Sequence, residues 1–237
     1  MSEGLLSVKG LSAWYGRAQI LFDVSLEANR GEVVALMGRN GAGKSTTFRS
    51  IMGLMAHAQG EVLFQGRRLR GLEPFQIARL GLGYVPEDRR IFSDLTVMEN
   101  LEVGRQPPRN HAPVWTPDKL FRVFPNLGEM PARPGGRMSG GEQQMLTVAR
   151  TLMGNPYLVM LDEPSEGIAP KIVEDMANMI LALKREGLSV LLSEQNLHFA
   201  RLVSDRAYVI EKGQVRYEGK MADLMQNESV KREYLSV

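Results

Sequence analysis

The chain predicts an α/β fold, and three observations carry that prediction. A short apolar strand, VVALM, runs into the glycine-rich turn GRNGAGKS at residues 38–45 and then into a helical stretch, TTFRSIMGL. Further on, the strand YLVML, the amphipathic stretch APKIVEDMANMILALKREG and the strand SVLLS follow one another as a βαβ unit, which pairs its strands in parallel through a right-handed crossover. Around the glycine-rich turn, LLSVKGLSAW, ILFDVSLEA and EVLFQG read as short strands bounded by turn signals, an antiparallel β-layer beside the parallel core.

The order of elements contains an interruption. Between residues 88 and 155, TVMENLEVG and KLFRVF have helical spacing, and PPRNHAP and PARPGGR are proline- and glycine-rich connectors. This stretch reads as a helical subdomain inserted into a core built from residues 1–87 and 156–237, the whole chain forming one domain. The last thirty or so residues read as a hairpin, DRAYVIEKGQVRYEG, followed by a charged terminal helix, with no internal repeat and no low-complexity tail.

Composition sets the outer limits. At 237 residues the chain is long enough to bury a substantial core. Its 29 basic and 27 acidic residues leave a formal charge of +2, which gives no signature of a nucleic-acid partner. No apolar run approaches the roughly 18 residues of a membrane-spanning helix, and the N-terminus MSEGLLSVKG has neither a charged leader nor an apolar one. The expectation is a cytosolic chain, held at a membrane only by a partner. Without cysteine there are no disulfides, thiolate metal sites or cysteine nucleophiles. His57, His111 and His198 are scattered with no zinc-ligand spacing.

Residues 38–45 match the phosphate-binding pattern G-x-x-x-x-G-K-[S/T] in the strand–turn–helix context that this chemistry needs. Gly38, Gly41 and Gly43 let the backbone turn tightly and aim several N–H groups at one point, Lys44 reaches terminal phosphates, and Ser45 holds Mg²⁺. With Arg39, Asn40, Ala42 and Thr46 they form a predicted cradle for a nucleoside triphosphate. Lys44 is expected to contribute charge rather than packing. A second motif ends the strand YLVMLDEP. Its apolar residues bury the strand, so Asp162 and Glu163 emerge at the carboxyl edge of the sheet, where open α/β sheets place ligands. Asp162 suits the Mg²⁺ shell, and Glu163 suits the orientation or deprotonation of a water attacking the γ-phosphate.

Between these motifs lies RMSGGEQQMLTVARTLM, residues 137–153. Ser139, Gly140 and Gly141 open a helix whose N–H groups and dipole can receive an anion. Ser139 and Glu142 also spell an S-x-x-E capping box, which stabilises any helix by about 1 kcal/mol without a ligand. Two consecutive glycines weaken a first helical turn, so capping alone does not explain them, whereas close approach of the backbone to phosphate does.

The order GRNGAGKS, MSGGE and LVMLDE resembles the ATP-binding cassette of ABC transporters, over nearly the whole chain. The resemblance implies a RecA-like P-loop NTPase core and a nucleotide that is ATP with Mg²⁺. It also implies two cassettes packed head to tail, so that Ser139, Gly140, Gly141 and Glu142 serve ATP bound by the partner. Tyr15, in AWYG, lies where the family stacks an aromatic ring on adenine. Three positions depart from the general pattern: Glu87 stands where the family has a Mg²⁺-sensing glutamine, Gln195 where it has a histidine at the γ-phosphate, and Ala169 where it has an aspartate.

Those departures, with YVPEDRRIFSDLTVMENL, MSGGEQQML, DEPSEGIAP, SEQN and the ending SVKREYLSV, resemble the branched-chain amino-acid type importer ATPases. Urea and short-chain amide importers are similar, including an EGI run after EPS. The resemblance implies an ATPase subunit at the cytoplasmic face of the inner membrane. Its implied partners are a second ATPase subunit in a heterodimer, two integral-membrane permease subunits and an extracytoplasmic solute-binding protein. Gln195 keeps hydrogen bonding at the γ-phosphate but carries no imidazole charge. Glu87 adds a carboxylate that favours the ion and repels phosphate, with the net sign left open. A non-hydrolysing regulatory cassette is the alternative that Gln195 and Ala169 keep alive and Glu163 opposes. A nucleic-acid or ribosome-directed cassette is disfavoured, since the chain has neither a second cassette nor a coiled-coil insertion.

Overall fold

The computed structural model describes residues 4–168 and 170–235. Two sheets make up its framework. Strands β1 (Gly4–Tyr15), β2 (Ala18–Asn29), β4 (His57–Phe64) and the two-residue β5 (Arg67–Arg68) form an antiparallel sheet in the order β2-β1-β4-β5. The second sheet is ordered β10-β9-β3-β8-β7-β6, built from β3 (Val33–Met37), β6 (Leu82–Val85), β7 (Leu158–Asp162), β8 (Ser189–Glu194), β9 (Arg206–Glu211) and β10 (Gln214–Lys220). Its five strands from β9 to β6 are parallel, and the β9–β10 hairpin adds an antiparallel edge. β3, β7 and β8 are buried throughout, which is why they are unbroken runs such as VVALM rather than alternating patterns.

The register sets the functional edge. Met37 is level with Glu194, and Asp162 is level with Ser193, so three strands end on one line. β3 continues into the glycine-rich turn and α1 (Lys44–Ile51), which packs against both sheets. Between β6 and β7 run α3 (Val97–Gly104), α4 (Pro117–Val123), α5 (Pro125–Gly128), a 3₁₀ turn (Gly135–Arg137) and α6 (Gly140–Leu152); the short α2 (Pro74–Arg79) precedes β6. After β7 come α7 (Pro170–Arg185), α8 (Leu197–Val203) and three short terminal turns of helix that replace the single predicted terminal helix. The predicted helix at KLFRVF likewise splits. Pro125 lacks the N–H that would continue α4 and instead starts α5.

Two buried asparagines tie the helices between β6 and β7 to the rest. Asn155 takes a left-handed φ of 48°, accepts from the Trp115 N–H at 2.7 Å and donates to the Gln106 carbonyl at 2.8 Å. Asn100 accepts from the Phe92 N–H and donates to the carbonyls of Phe92, Leu95 and Thr96. Each satisfies backbone groups in a loop that has no ladder of its own. Replacing Asn155 by alanine leaves the buried Trp115 N–H and the Gln106 carbonyl without partners and keeps the left-handed strain. The expected loss is about 2–4 kcal/mol in urea unfolding. A loss under half of that would show that water takes over both bonds.

Candidate active site

The glycine-rich turn is shaped by packing as well as by any ligand. A Cβ on Gly38 would lie 2.5 Å from the Ile210 carbonyl oxygen, and Gly43 combines a φ of 113° with a would-be Cβ 2.8 Å from Leu21. Gly43 leads directly into α1 with no side-chain cap, so the first N–H groups of the helix are left for another acceptor. Lys44 departs from the sequence expectation. It is 3% exposed, and its Nζ donates to the carbonyls of Gly38 and Arg39 at 2.6 and 3.0 Å while pairing with Glu163 at 3.1 Å. The side chain packs as part of the core because its stem runs under the turn and its three donors all find oxygens.

Glu163 is presented by an unusual backbone. Just past β7 it adopts a φ of 46°, and its N–H donates to both the carbonyl and the hydroxyl of Ser193 at 3.1 Å. That geometry turns the carboxylate from the strand direction toward Lys44. Asp162, one residue earlier, is also buried. Its Oδ1 accepts from Ser45 at 3.0 Å and Ser193 at 2.6 Å, and its Oδ2 accepts from Tyr84 at 3.1 Å. Burial pushes the Asp162 carboxyl up, while the three hydroxyl donors hold it down.

Among the described residues no three acidic or histidine side chains gather as a metal cluster. The pair Ser45 and Asp162 nevertheless fits Mg²⁺, a hard cation that takes one or two protein oxygens and completes its shell with phosphates and water. Glu87 is exposed beyond β6, and it bonds neither Ser45 nor Asp162 among the described residues. Its charge reaches Glu166 instead.

Gln195 lies in the same cleft as Glu163. With Asn40, Ser165, Glu166, Glu194 and Asn196 they line a cavity of about 370 Å³. The buried Glu194 holds this wall together by accepting from the N–H groups of Ser165, Gln195 and Asn196 at 3.1–3.2 Å. Its carboxyl is pushed up by burial. Tyr15 stands at the end of β1 with its ring 47% exposed and its hydroxyl accepting from Arg49 at 3.3 Å. Ala169 lies outside the described residues.

Ser139–Glu142 stand apart from this cleft. The capping box is formed, with the Ser139 N–H donating to Glu142 at 2.7 Å and the Glu142 N–H to the Ser139 hydroxyl at 3.4 Å. No hydrogen bond or ion pair joins residues 139–142 to residues 38–46 among the described residues. Gly141 fits tightly beneath Ile172, whereas a Cβ on Gly140 would first meet the guanidinium of Arg89. Sequence reasoning missed Tyr84, Glu166, Ser193 and Glu194. The signal for the last two was a serine and a glutamate closing a fully buried strand.

A family model described as ABC transporter matches residues 21–166. The chain is 43% identical to the high-affinity branched-chain amino acid transport ATP-binding protein BraG of Pseudomonas aeruginosa, covering 98% of this chain and 99% of that protein. It is 34% identical to the probable branched-chain amino acid transport ATP-binding protein LivF of Archaeoglobus fulgidus, covering 96% and 97%. It is 35% identical to the lipopolysaccharide export system ATP-binding protein LptB of Haemophilus influenzae, covering 98% and 97%. Among solved structures, a nucleotide-free ATP-binding cassette superposes with a TM-score of 0.80 at 27% identity, over 96% of this chain and 97% of that one. The ADP conformation of another cassette gives 0.81 at 27% identity, over 98% of each chain.

Two predictions concern the charges of this cleft. Lys44→Ala leaves Glu163 buried without its cation and should lower nucleotide-free stability by roughly 3 kcal/mol. The double variant with Glu163→Gln should recover most of that in urea unfolding; no recovery would mean that the lysine stem alone matters. The second concerns Glu166, whose carboxyl is raised from 4.5 to about 7 by the neighbouring Glu163 carboxylate, then by burial and by the charge of Glu87. Because the folded chain holds this proton more tightly, the contribution to stability is complete below about pH 4.5 and is lost as pH rises to about 7. Melting curves across that window should fall for the wild type and fall less for Glu166→Gln. Parallel curves would show that Glu166 titrates as a free surface carboxylate.

Proposed function

The chain belongs to the ABC transporter family, and from that premise we propose that it is an energy-coupling subunit of a multi-subunit importer of branched-chain amino acids. It is an ATPase whose hydrolysis of ATP is coupled to transport. The observation that carries the reading is the convergence of Lys44, Ser45, Asp162 and Glu163 on one buried edge, with Ser139–Glu142 on a separate helix. An ATP seated in the glycine-rich turn takes backbone N–H donors and the Lys44 charge at its phosphates, and its purine stacks on the exposed Tyr15 ring. Ser45 and Asp162 would hold Mg²⁺, which supplies positive charge to the phosphate oxygens when bound, and Glu87 would add its charge from the exposed end of β6. Glu163 takes the proton of the attacking water, and Gln195 offers an amide to the γ-phosphate from the facing wall.

The separation of Ser139–Glu142 from the turn supports their action on ATP held by a second cassette. A single chain supplies half of each of two sites. A groove of about 580 Å³ supports the permease partners: it runs between α2, β6, α3 and α6, and Leu54, Phe75, Phe92 and Val103 line it, each among the exposed large apolar side chains. An apolar patch of this kind on a chain with no membrane-length apolar helix among its described residues suits a segment of a membrane subunit. Through that contact the chain would sit at the cytoplasmic face of the inner membrane, with the solute-binding protein acting from the far side. The EGI run at residues 166–168 favours, as a second reading, the equivalent subunit of a urea or short-chain amide importer.

Reconstitution with the permease subunits and the solute-binding protein tests the assignment. ATP turnover should rise with leucine, isoleucine or valine on the binding protein; a rise with urea alone would move the chain to the second reading. Glu163→Gln should retain ATP binding and accumulate as an ATP-clamped dimer on size exclusion, while full hydrolysis at its own site would remove Glu163 as the base. The chain alone should hydrolyse ATP weakly, since its homodimer has two Gln195 sites. Gln195→His restores a charge-assisted hydrogen bond and should raise that rate roughly tenfold. Vigorous wild-type activity unaffected by the substitution would show that an amide suffices.

A further inference from the structure

The metal-facing carboxylate is held from a direction that the reaction itself does not require. Asp162 Oδ1 is fixed by Ser45 and Ser193, but Oδ2 is fixed by Tyr84, which reaches it from β6 at 3.1 Å. The guanidinium of Arg49 lies beside the same Tyr84 hydroxyl. Arg49 in turn donates to the Tyr15 hydroxyl at 3.3 Å. Tyr15, Arg49, Tyr84 and Asp162, from β1, α1, β6 and β7, thus stand in a row that is hydrogen-bonded at its two ends and bridged in the middle by the nearness of Arg49 to Tyr84, from the ring proposed to carry the purine to the carboxylate proposed to face the metal.

The chemistry gives this line a direction. A phenol has one proton and two lone pairs, whereas a guanidinium only donates. Beside Arg49, the Tyr84 oxygen is an acceptor on that side, so its proton is committed to Asp162. Arg49 forms no ion pair with a carboxylate among the described residues, and its side chain is exposed on α1. No acid competes with the two tyrosines for it.

We propose that Tyr84 and Arg49 are positioning residues that hold Asp162 in its metal-binding setting and make that setting respond to the base stacked on Tyr15. The proposal rests on the ATP-site reading above. A carboxylate's terminal torsion is broad, so one fixed oxygen still lets the group rock, while two oxygens fixed from opposite sides do not. Partners of metal ligands act in this way and are worth about tenfold or more in metal affinity. A base on Tyr15 immobilises the acceptor that Arg49 uses. A polyphosphate without a base leaves that acceptor free.

The test measures binding, with Mn²⁺ read by electron paramagnetic resonance in place of Mg²⁺. Wild type, Tyr84→Phe and Arg49→Met are each titrated with Mn²⁺ in the presence of ATP or of inorganic tripolyphosphate, and ATP affinity is measured separately in chelator. Tyr84→Phe should weaken Mn²⁺ binding about tenfold with both anions and leave metal-free ATP affinity within about twofold. Arg49→Met should weaken Mn²⁺ binding about fivefold with ATP and by clearly less with tripolyphosphate. Unchanged Mn²⁺ affinity in Tyr84→Phe, or an equal loss with both anions in Arg49→Met, overturns the proposal. A wild type that binds no Mn²⁺ with ATP would instead overturn the ATP-site reading. Should Tyr84→Phe fail to fold, Arg49→Met alters only an exposed side chain and decides the matter alone.

Discussion

A lysine and a glutamate held 3.1 Å apart, both nearly closed to water, are the constraint to which the rest of the site answers. Removing two charges from water is expensive, and their attraction offsets this only with good geometry and further hydrogen bonds. Both conditions come from the fold. The carbonyls of Gly38 and Arg39 occupy the other donors of Lys44, and the left-handed backbone of Glu163 is pinned by Ser193. Each feature depends on β3, β7 and β8 ending on one line, which in turn requires parallel strands buried on both faces. A protein that needs a strong field on a triphosphate gains by storing it in a dry place, because the same charges in water would be worth far less.

The arrangement also explains why the acids here divide their labour. Asp162 is surrounded by hydroxyl donors that favour its charge, whereas the exposed Glu166 meets the charges of Glu163 and Glu87 and keeps its proton toward neutrality. Glu194 spends its oxygens on three backbone N–H groups and so serves as a buried clamp for the segments carrying Ser165 and Gln195. Three carboxylates lining one cleft, with Asp162 beside it, would repel one another if all were free. Hydrogen bonds to Asp162 and Glu194, the cation beside Glu163 and the retained proton on Glu166 divide that repulsion among different devices.

What was legible in the sequence follows from this physics. The strand before GRNGAGKS, the acids after YLVML and the cap at Ser139 are local patterns, readable because strand burial, turn glycines and helix capping act over a few residues. The burial of Lys44 was not readable, since a lysine after a glycine turn is spelled the same way whether or not a glutamate some 120 residues later folds back over it. Tyr84 was passed over for the same reason: in GYV it reads as one more strand aromatic, and only the parallel pairing of β6 with β7 brings its hydroxyl to Asp162. The break between α4 and α5 was a local signal left unused, because Pro125 stands in plain view.

The separation of Ser139–Glu142 from the phosphate turn has a consequence for control. Within one chain the proposed ATP edge is joined by no hydrogen bond or ion pair, among the described residues, to the N-terminus of the Ser139–Glu142 helix, whose cap is satisfied by Glu142. If that helix serves a second cassette, as proposed above, binding and completion are separate events, and the field around the γ-phosphate is whole only once the second cassette approaches. With Gln195 in place of an imidazole, each half contributes less charge of its own, and the site depends more heavily on what the facing helix brings. On that reading the chain would spend little ATP outside its assembly, because the buried pair of Lys44 and Glu163 would meet the nucleotide first while the remaining stabilisation of the transition state would arrive only with the partner.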